Sequence, residues 1–189
     1  MSAQDSKLFV ISGPSGAGKG TLVTRVRERR SNLGLTVSAT TRAPRKGEVD
    51  GVNYFFLTRE EFDRRVANGE FVEWAEVHGN CYGTLVSEVT SKLASGASLI
   101  LEIDVQGALQ VKERFPEAVL ILIKPPSLEV LRERLVGRGT ETPETIELRM
   151  ANAADELALA DRYDDVVVND LPPAQLDELV RVLDMHERI

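Results

Sequence analysis

The sequence predicts an α/β fold in which a parallel sheet is flanked by helices, and three observations carry that prediction. Short runs of Val, Ile and Leu recur along the chain, helical patterns separate them, and a glycine loop joins the first run to the first helix. LFVIS (8–12), SLILEID (98–104), AVLILI (118–123) and DVVVN (165–169) are too short for independent helices and too uniformly apolar for one-faced strands, so they read as buried parallel strands. A further strand is expected in LGLTVS (33–38).

Helical spacing fills the intervals, in TLVTRVRERR, SEVTSKLAS, LEVLRERLVGR, ETIELRMANAADELALA and the closing AQLDELVRVLDMHE. Strands alternating with helices point to a doubly wound core. Residues 40–84 break the rhythm: TTRAPRKGEVDG leads to a strand in VNYFFL, a helix in TREEFDRRVANG and then FVEWAEVHGNCYGT. This region reads as an insert beside the main sheet, joined to it by two hinges. GRGTETPET interrupts two helical patterns with glycine and proline and reads as a flap.

A chain of 189 residues, with 42% hydrophobic and 28% charged side chains, has the size and composition of one globular domain with a sizeable core. Its net charge of −7 argues against a broad basic face for nucleic acid. The lone Cys81 excludes an intramolecular disulfide framework and a cysteine zinc cluster, and reads as a small partly buried thiol in a reducing compartment. MSAQDSK lacks the blocks of a signal peptide and no apolar run is long enough to span a membrane, so a cytoplasmic protein with no membrane partner is expected. The sequence carries no mark of oligomeric state.

Gly13-x4-Gly18-Lys19 follows a buried strand and opens a helix, which is the context of a phosphate loop. Without Cβ atoms the glycines let backbone N–H groups curl toward an anion, and the helix N-terminus adds partial positive charge. Gly13, Pro14, Ser15, Gly16, Ala17 and Gly18, with Lys19, Gly20 and Thr21 at the helix start, are the expected ATP-binding stretch, Lys19 reaching the β- and γ-phosphates. The usual motif has Ser or Thr after the lysine as a Mg²⁺ ligand, and Gly20 stands there instead. Either Thr21 helps, or Mg²⁺ is held through waters and the nucleotide's own phosphates. No protein ligand for the metal is named.

Arg42 and Arg45, three residues apart and followed by Tyr54, have the chemistry to clamp a phosphate monoester by charge-assisted hydrogen bonds, although such arginines by themselves also suit a solvated surface. GPSGAGKG, SATTRAPRKGEVDGVNYFF, FVEWAEVHGNCYGT, ILEIDVQGA, LRERLVGRGTETPETIELRMANAADEL and VVVND together resemble the guanylate kinase family, in family order and over nearly the whole chain from about Leu8 to Asp170. The resemblance implies a P-loop nucleoside monophosphate kinase fold: one domain over 1–189, with a mixed α/β GMP-binding insert at about 38–86 and a small helical lid at about 127–160. It also implies a guanine site of Ser38, Glu73, Thr84 and Asp104, a GMP phosphate site of Arg42, Arg45, Tyr54 and Tyr82, and Asn169 and Asp170 beside the donor adenine.

The chemistry of the base supports that assignment. Guanine offers N1–H and an amine as donors and O6 as an acceptor, matching two carboxylates and hydroxyls, whereas adenine lacks the N1 proton and would strand a buried carboxylate. Taken from spacing alone, Glu73 is as readily an exposed strand residue, and Asp104 a helix cap or a holder of water around Mg²⁺. Asp104 ends its strand at the carboxyl edge of the sheet, where such sheets bind ligands, and Glu102 points to the same face as a candidate for the metal hydration shell.

By resemblance to the family lid, Arg138 and Arg149 close on the transferring phosphoryl group, with Arg134 a weaker candidate and Arg132 a solvated partner of nearby glutamates. Lys19, Arg45, Arg138 and Arg149 form the expected catalytic set, with Mg²⁺ as cofactor and ATP and GMP as the small-molecule substrates. The second pKa of the GMP phosphate, about 6, leaves it largely ionised at neutral pH, so no general base is required and His78 and His186 have incidental surface roles. The other readings are a kinase for a different base, which the paired acids oppose, and a non-catalytic guanylate-kinase-like scaffold module, which the intact Lys19 opposes.

Overall fold

The computed structural model describes residues 6–77, 79–137, 139, 142–170 and 174–187. In chain order its elements are β1 (Leu8–Ser12), α1 (Lys19–Arg29), β2 (Gly34–Leu35), β3 (Ala39–Thr40), β4 (Phe55–Phe56), α2 (Arg59–Ala67), β5 (Phe71–Val77), β6 (Asn80–Leu85) and α3 (Val86–Ala94). Then follow β7 (Leu99–Glu102), α4 (Val105–Arg114), β8 (Val119–Lys124), α5 (Leu128–Gly137), α6 (Pro143–Leu157), a short 3₁₀ turn (Ala160–Arg162), β9 (Asp165–Val168) and α7 (Ala174–Glu187).

Five strands form a parallel sheet in the order β2-β7-β1-β8-β9. Its central strands are apolar up to their last residues, Ser12, Glu102 and Lys124, because both faces are covered. Phe9, Ile11, Ile121 and Ile123 pack with Val23 and Val26 of α1 and Leu179 and Leu183 of α7. Leu8, Val10, Leu120 and Leu122 pack on the opposite side with Val89, Val105, Val111 and Tyr163. The phosphate-loop strand β1 lies at the centre, so the loop it feeds is anchored by the most buried part of the molecule.

A second sheet, β4-β3-β6-β5, mixes a parallel β3–β4 pair with antiparallel β3–β6 and β5–β6 pairs. With α2 it encloses its own cluster of Ala39, Phe62, Phe71, Cys81 and Leu85. Thr58 starts α2 by accepting from Glu61 N–H, a capping arrangement the TREE stretch encodes. α5 and α6 pack on each other through Leu131, Leu135, Ile146 and Ala153, and α6 begins with Thr142 as cap and Pro143 in its first turn.

Two expected strands are shorter than read. LGLTVS contributes only Gly34–Leu35, because Val37 N–H donates to Glu88 Oε1 (2.8 Å) rather than to a sheet neighbour as the chain crosses toward β3. VNYFFL contributes only Phe55–Phe56. The run at 98–104 ends its strand at Glu102, and Asp104 caps the next helix. His186 is not an incidental surface residue: Nε2 lies 2.6 Å from Asp165 Oδ2 and ties α7 to β9. Among the described residues no helix is long and apolar enough to cross a membrane.

Candidate active site

The loop between β1 and α1 is shaped by close backbone approaches. A Cβ on Gly13 would stand 2.1 Å from Ile123 O, and one on Gly18 would stand 2.3 Å from Asn169 Nδ2. Gly18 also takes a left-handed φ of +87° at the helix start, which a side chain disfavours. Ala17 N–H closes a turn on Pro14 O (3.1 Å). Lys19 Nζ donates back to the carbonyl oxygens of Gly13 and Pro14, at 3.1 Å from the latter, so the ammonium lies over the loop.

Two distant side chains brace this loop. Asn169, just past β9, donates from Nδ2 to Ala17 O (2.6 Å). Arg149 of α6 donates to Ser15 Oγ (2.6 Å), bringing a guanidinium to the rim of the cradle. Arg134 donates to the carbonyl oxygens of Asn169 (2.8 Å) and Asp170 (3.0 Å), which places it at the end of β9 instead of over the loop. Arg132 pairs with Glu147, as the glutamate-rich pattern suggested. Arg138, the other arginine expected on the transferring group, lies outside the described residues, as does His78.

Glu102 ends β7 beside the loop. Its carboxylate oxygens lie 3.4 and 3.7 Å from where a Cβ of Gly20 would be. Burial raises its pKa and the nearby Lys19 charge lowers it, with burial prevailing. Thr21, the nearest hydroxyl in sequence, is exposed on α1. Among the described residues no group of three or more His, Cys, Asp or Glu side chains could by itself hold a metal ion.

Glu73 occupies the adjoining wall. β5 and β6 slip register between Phe71 and Glu73, and β6 presses close at Gly83, where a Cβ would stand 2.7 Å from Glu73 O. The irregularity breaks the alternation of the strand, so three successive residues face inward and Glu73 is only 8% exposed while Trp74 is 41% exposed. Desolvation pushes the Glu73 carboxyl up to about 7, the charge of Asp104 adds to the rise, and Thr84 opposes it. Thr84 pairs with Glu73 across the strands, yet its buried Oγ1 has no partner in hydrogen-bond geometry. Asp104 caps α4, accepting from Gly107 N–H at 2.7 Å. Ser38 is half-buried immediately before β3 and accepts from Phe55 N–H.

The residues read as a phosphate clamp gather on the same sheet. Tyr54 and Tyr82 meet edge to face with ring centroids 6.2 Å apart, and Arg42 Cζ lies 5.5 Å from the Tyr54 centroid. Arg42 donates to both oxygens of Glu48 (2.9 and 3.0 Å), and Glu48 also accepts from Arg45 N–H (2.7 Å). Those two contacts hold the Glu48 carboxyl below its usual range. The Arg45 side chain is exposed, and its charge also lowers the Glu48 carboxyl. Sequence reasoning missed Glu48, although a carboxylate three residues after Arg45 in a glycine turn was a readable signal. It also missed Glu156 of α6, a half-buried acid raised by burial that feels Lys19 and Asp104.

A glycine cradle fed by the central parallel strand, a second sheet carrying a buried acid beside Asp104 and a helix pair reaching the cradle through Arg149 define a P-loop nucleoside monophosphate kinase fold. The guanylate kinase family model matches residues 5–186. The chain is 56% identical to a guanylate kinase of Gloeobacter violaceus over 94% of this chain and 87% of that protein. It is 51% identical to one of Halalkalibacterium halodurans over 97% and 90%. The crystal structure of guanylate kinase from Anaplasma phagocytophilum superposes with a TM-score of 0.74 at 36% identity, covering 97% of this chain and 87% of that one. This chain belongs to the guanylate kinase family.

Proposed function

We infer that this protein transfers the γ-phosphoryl group of ATP to GMP, giving ADP and GDP. The observation that carries the reading is the buried Glu73 carboxyl beside the buried Thr84 and the charge of Asp104. Burying a carboxyl there is costly unless a ligand completes its hydrogen bonds, and guanine, with two donors on one edge and an acceptor beside them, has the complementary pattern. Ser38, Glu73, Thr84 and Asp104 hold the base. Arg42, Arg45, Tyr54 and Tyr82 take the GMP phosphate, which displaces Glu48 from Arg42.

Gly13 to Thr21 cradle the ATP phosphates, with Lys19 on the β- and γ-oxygens, and Asn169 and Asp170 border the donor base. Lys19, Arg45, Arg138 and Arg149 neutralise charge on the transferring group. A magnesium ion, when bound with the nucleotide, would supply further charge neutralisation, and the residues present fit it: the Glu102 carboxylate lies beside Gly20, where the usual hydroxyl would stand, and would hold the ion through water.

The second sheet (about 38–86) and the α5–α6 pair (about 127–160) act as jaws that exclude water during transfer. Their separate hydrophobic clusters support this, since each packs as a body distinct from the core sheet. The reaction serves purine nucleotide metabolism, and the buried thiol of Cys81 suits the cytoplasm. A coupled assay of ADP formation with ATP and GMP, dGMP, AMP, UMP or dTMP tests the reading. Turnover with GMP at a kcat/KM orders of magnitude above that with AMP is expected; comparable turnover of AMP overturns the assignment of the base.

A further inference from the structure

Glu73 and Asp104 approach one another over the first turn of α4, and Gly107 lies where they meet. A Cβ built on Gly107 would stand 3.3 Å from Asp104 Oδ1, 3.3 Å from Glu73 Oε2 and 3.3 Å from Ile103 Cδ1. Each of these separations is tighter than an ordinary carbon contact and would require the neighbour to yield by a few tenths of an ångström. The backbone gives no reason for glycine here: Gly107 lies inside α4 and is absent from the positive-φ residues. Glycine within a helix is unfavourable relative to alanine. The sequence therefore carries a helix-weakening residue at the one position where both acids converge.

We propose that Gly107 is a positioning residue for guanine recognition, its missing side chain setting how closely Glu73 and Asp104 approach each other above the α4 N-terminus. The same backbone fixes Asp104 actively, since Gly107 N–H holds Oδ1 at 2.7 Å and directs the remaining oxygen of that carboxylate. A methyl group at this point displaces both acceptors together, and hydrogen bonds to a rigid purine edge tolerate little displacement. The inference rests on the reading of Glu73 and Asp104 as the base-binding pair.

The test is Gly107→Ala, assayed for KM and kcat with each substrate and for thermal stability. KM for GMP is expected to rise about five- to thirtyfold, with KM for ATP and kcat changed less than about threefold and Tm unchanged or higher. Adding Glu73→Asp, which withdraws the carboxylate from the new methyl, is expected to give a KM for GMP well below the product of the two single effects. An unchanged KM for GMP, a parallel rise in KM for ATP, a multiplicative double mutant or a Gly107→Ala protein that fails to fold each overturns the proposal. Glu73→Gln separates the two layers: if it leaves KM for GMP unaltered, the base site itself is misplaced, whereas a raised KM there with a silent Gly107→Ala removes only the role given to Gly107.

Discussion

The phosphate loop and the acidic wall beside it are built on opposite plans. The loop is eight consecutive residues, GPSGAGKG, which can offer backbone N–H donors to an anion and whose shape follows from where Cβ atoms are missing. The acidic wall draws Ser38, Glu73, Thr84 and Asp104 from four separate places and works through side chains. A backbone cradle binds any polyphosphate and discriminates little, while a desolvated set of acceptors is costly to leave unpaired and discriminates strongly. The difference predicts that changes in the loop damage turnover and changes in the wall damage acceptor affinity.

The largest expected effect is on the loop side. Lys19→Met should lower kcat by about 10²- to 10³-fold, with KM for GMP within about threefold and little change in Tm, since the ammonium donates to the carbonyls of Gly13 and Pro14 at the loop and not into the core. A coupled assay with a thermal melt measures both, and a kcat near the parent value would remove Lys19 from its role.

On the wall side, Glu73→Gln should raise KM for GMP by about 10- to 100-fold and leave KM for ATP nearly unchanged. If both constants moved together, the contrast between the two regions would be lost.

A pH series sharpens the comparison. With the Glu73 carboxyl at about 7, the carboxylate that accepts guanine N1–H is lost as pH falls below that value, so this group alone should lower kcat/KM for GMP about fivefold from pH 7 to 6 and about tenfold per unit further down. In Glu73→Gln this limb should vanish and leave only the limb of the GMP phosphate near pH 6.

The smallest effect is on stability. The folded carboxyl holds its proton more tightly than the unfolded one, whose value is 4.5, so the folded state loses stability as pH rises from about 4.5 through 7. The Tm of Glu73→Gln relative to the parent should therefore increase by ~5 °C between pH 5 and pH 8.

Which parts were legible in the sequence follows from how local their causes are. β1, β7 and β8 are legible as strands because burial on both faces leaves a nearly continuous apolar run, whereas β9, read as equally buried, is an edge strand with Val166 and Val168 exposed. Thr58 and Thr142 mark helix starts through contacts within three residues. Gly34–Leu35 proved shorter than LGLTVS suggested because a glutamate fifty-one residues away takes the Val37 amide. The same non-locality hid the bonding of Asn169 and Arg134, whose partners lie across the sheet in the loop and at the end of β9. Composition could not distinguish His186 on the surface from His186 against Asp165.

By itself the sequence determined a parallel α/β core, a phosphate cradle after its first buried strand and the residue types that a guanine and a phosphate monoester require. Only the tertiary structure decided that a register slip turns Glu73 inward, that Glu48 holds Arg42, that Glu102 fills the space beside Gly20 and that two carboxylates meet over Gly107. Periodicity and spacing act between near neighbours in the chain, whereas desolvation, charge coupling and excluded volume act between atoms that folding alone brings together.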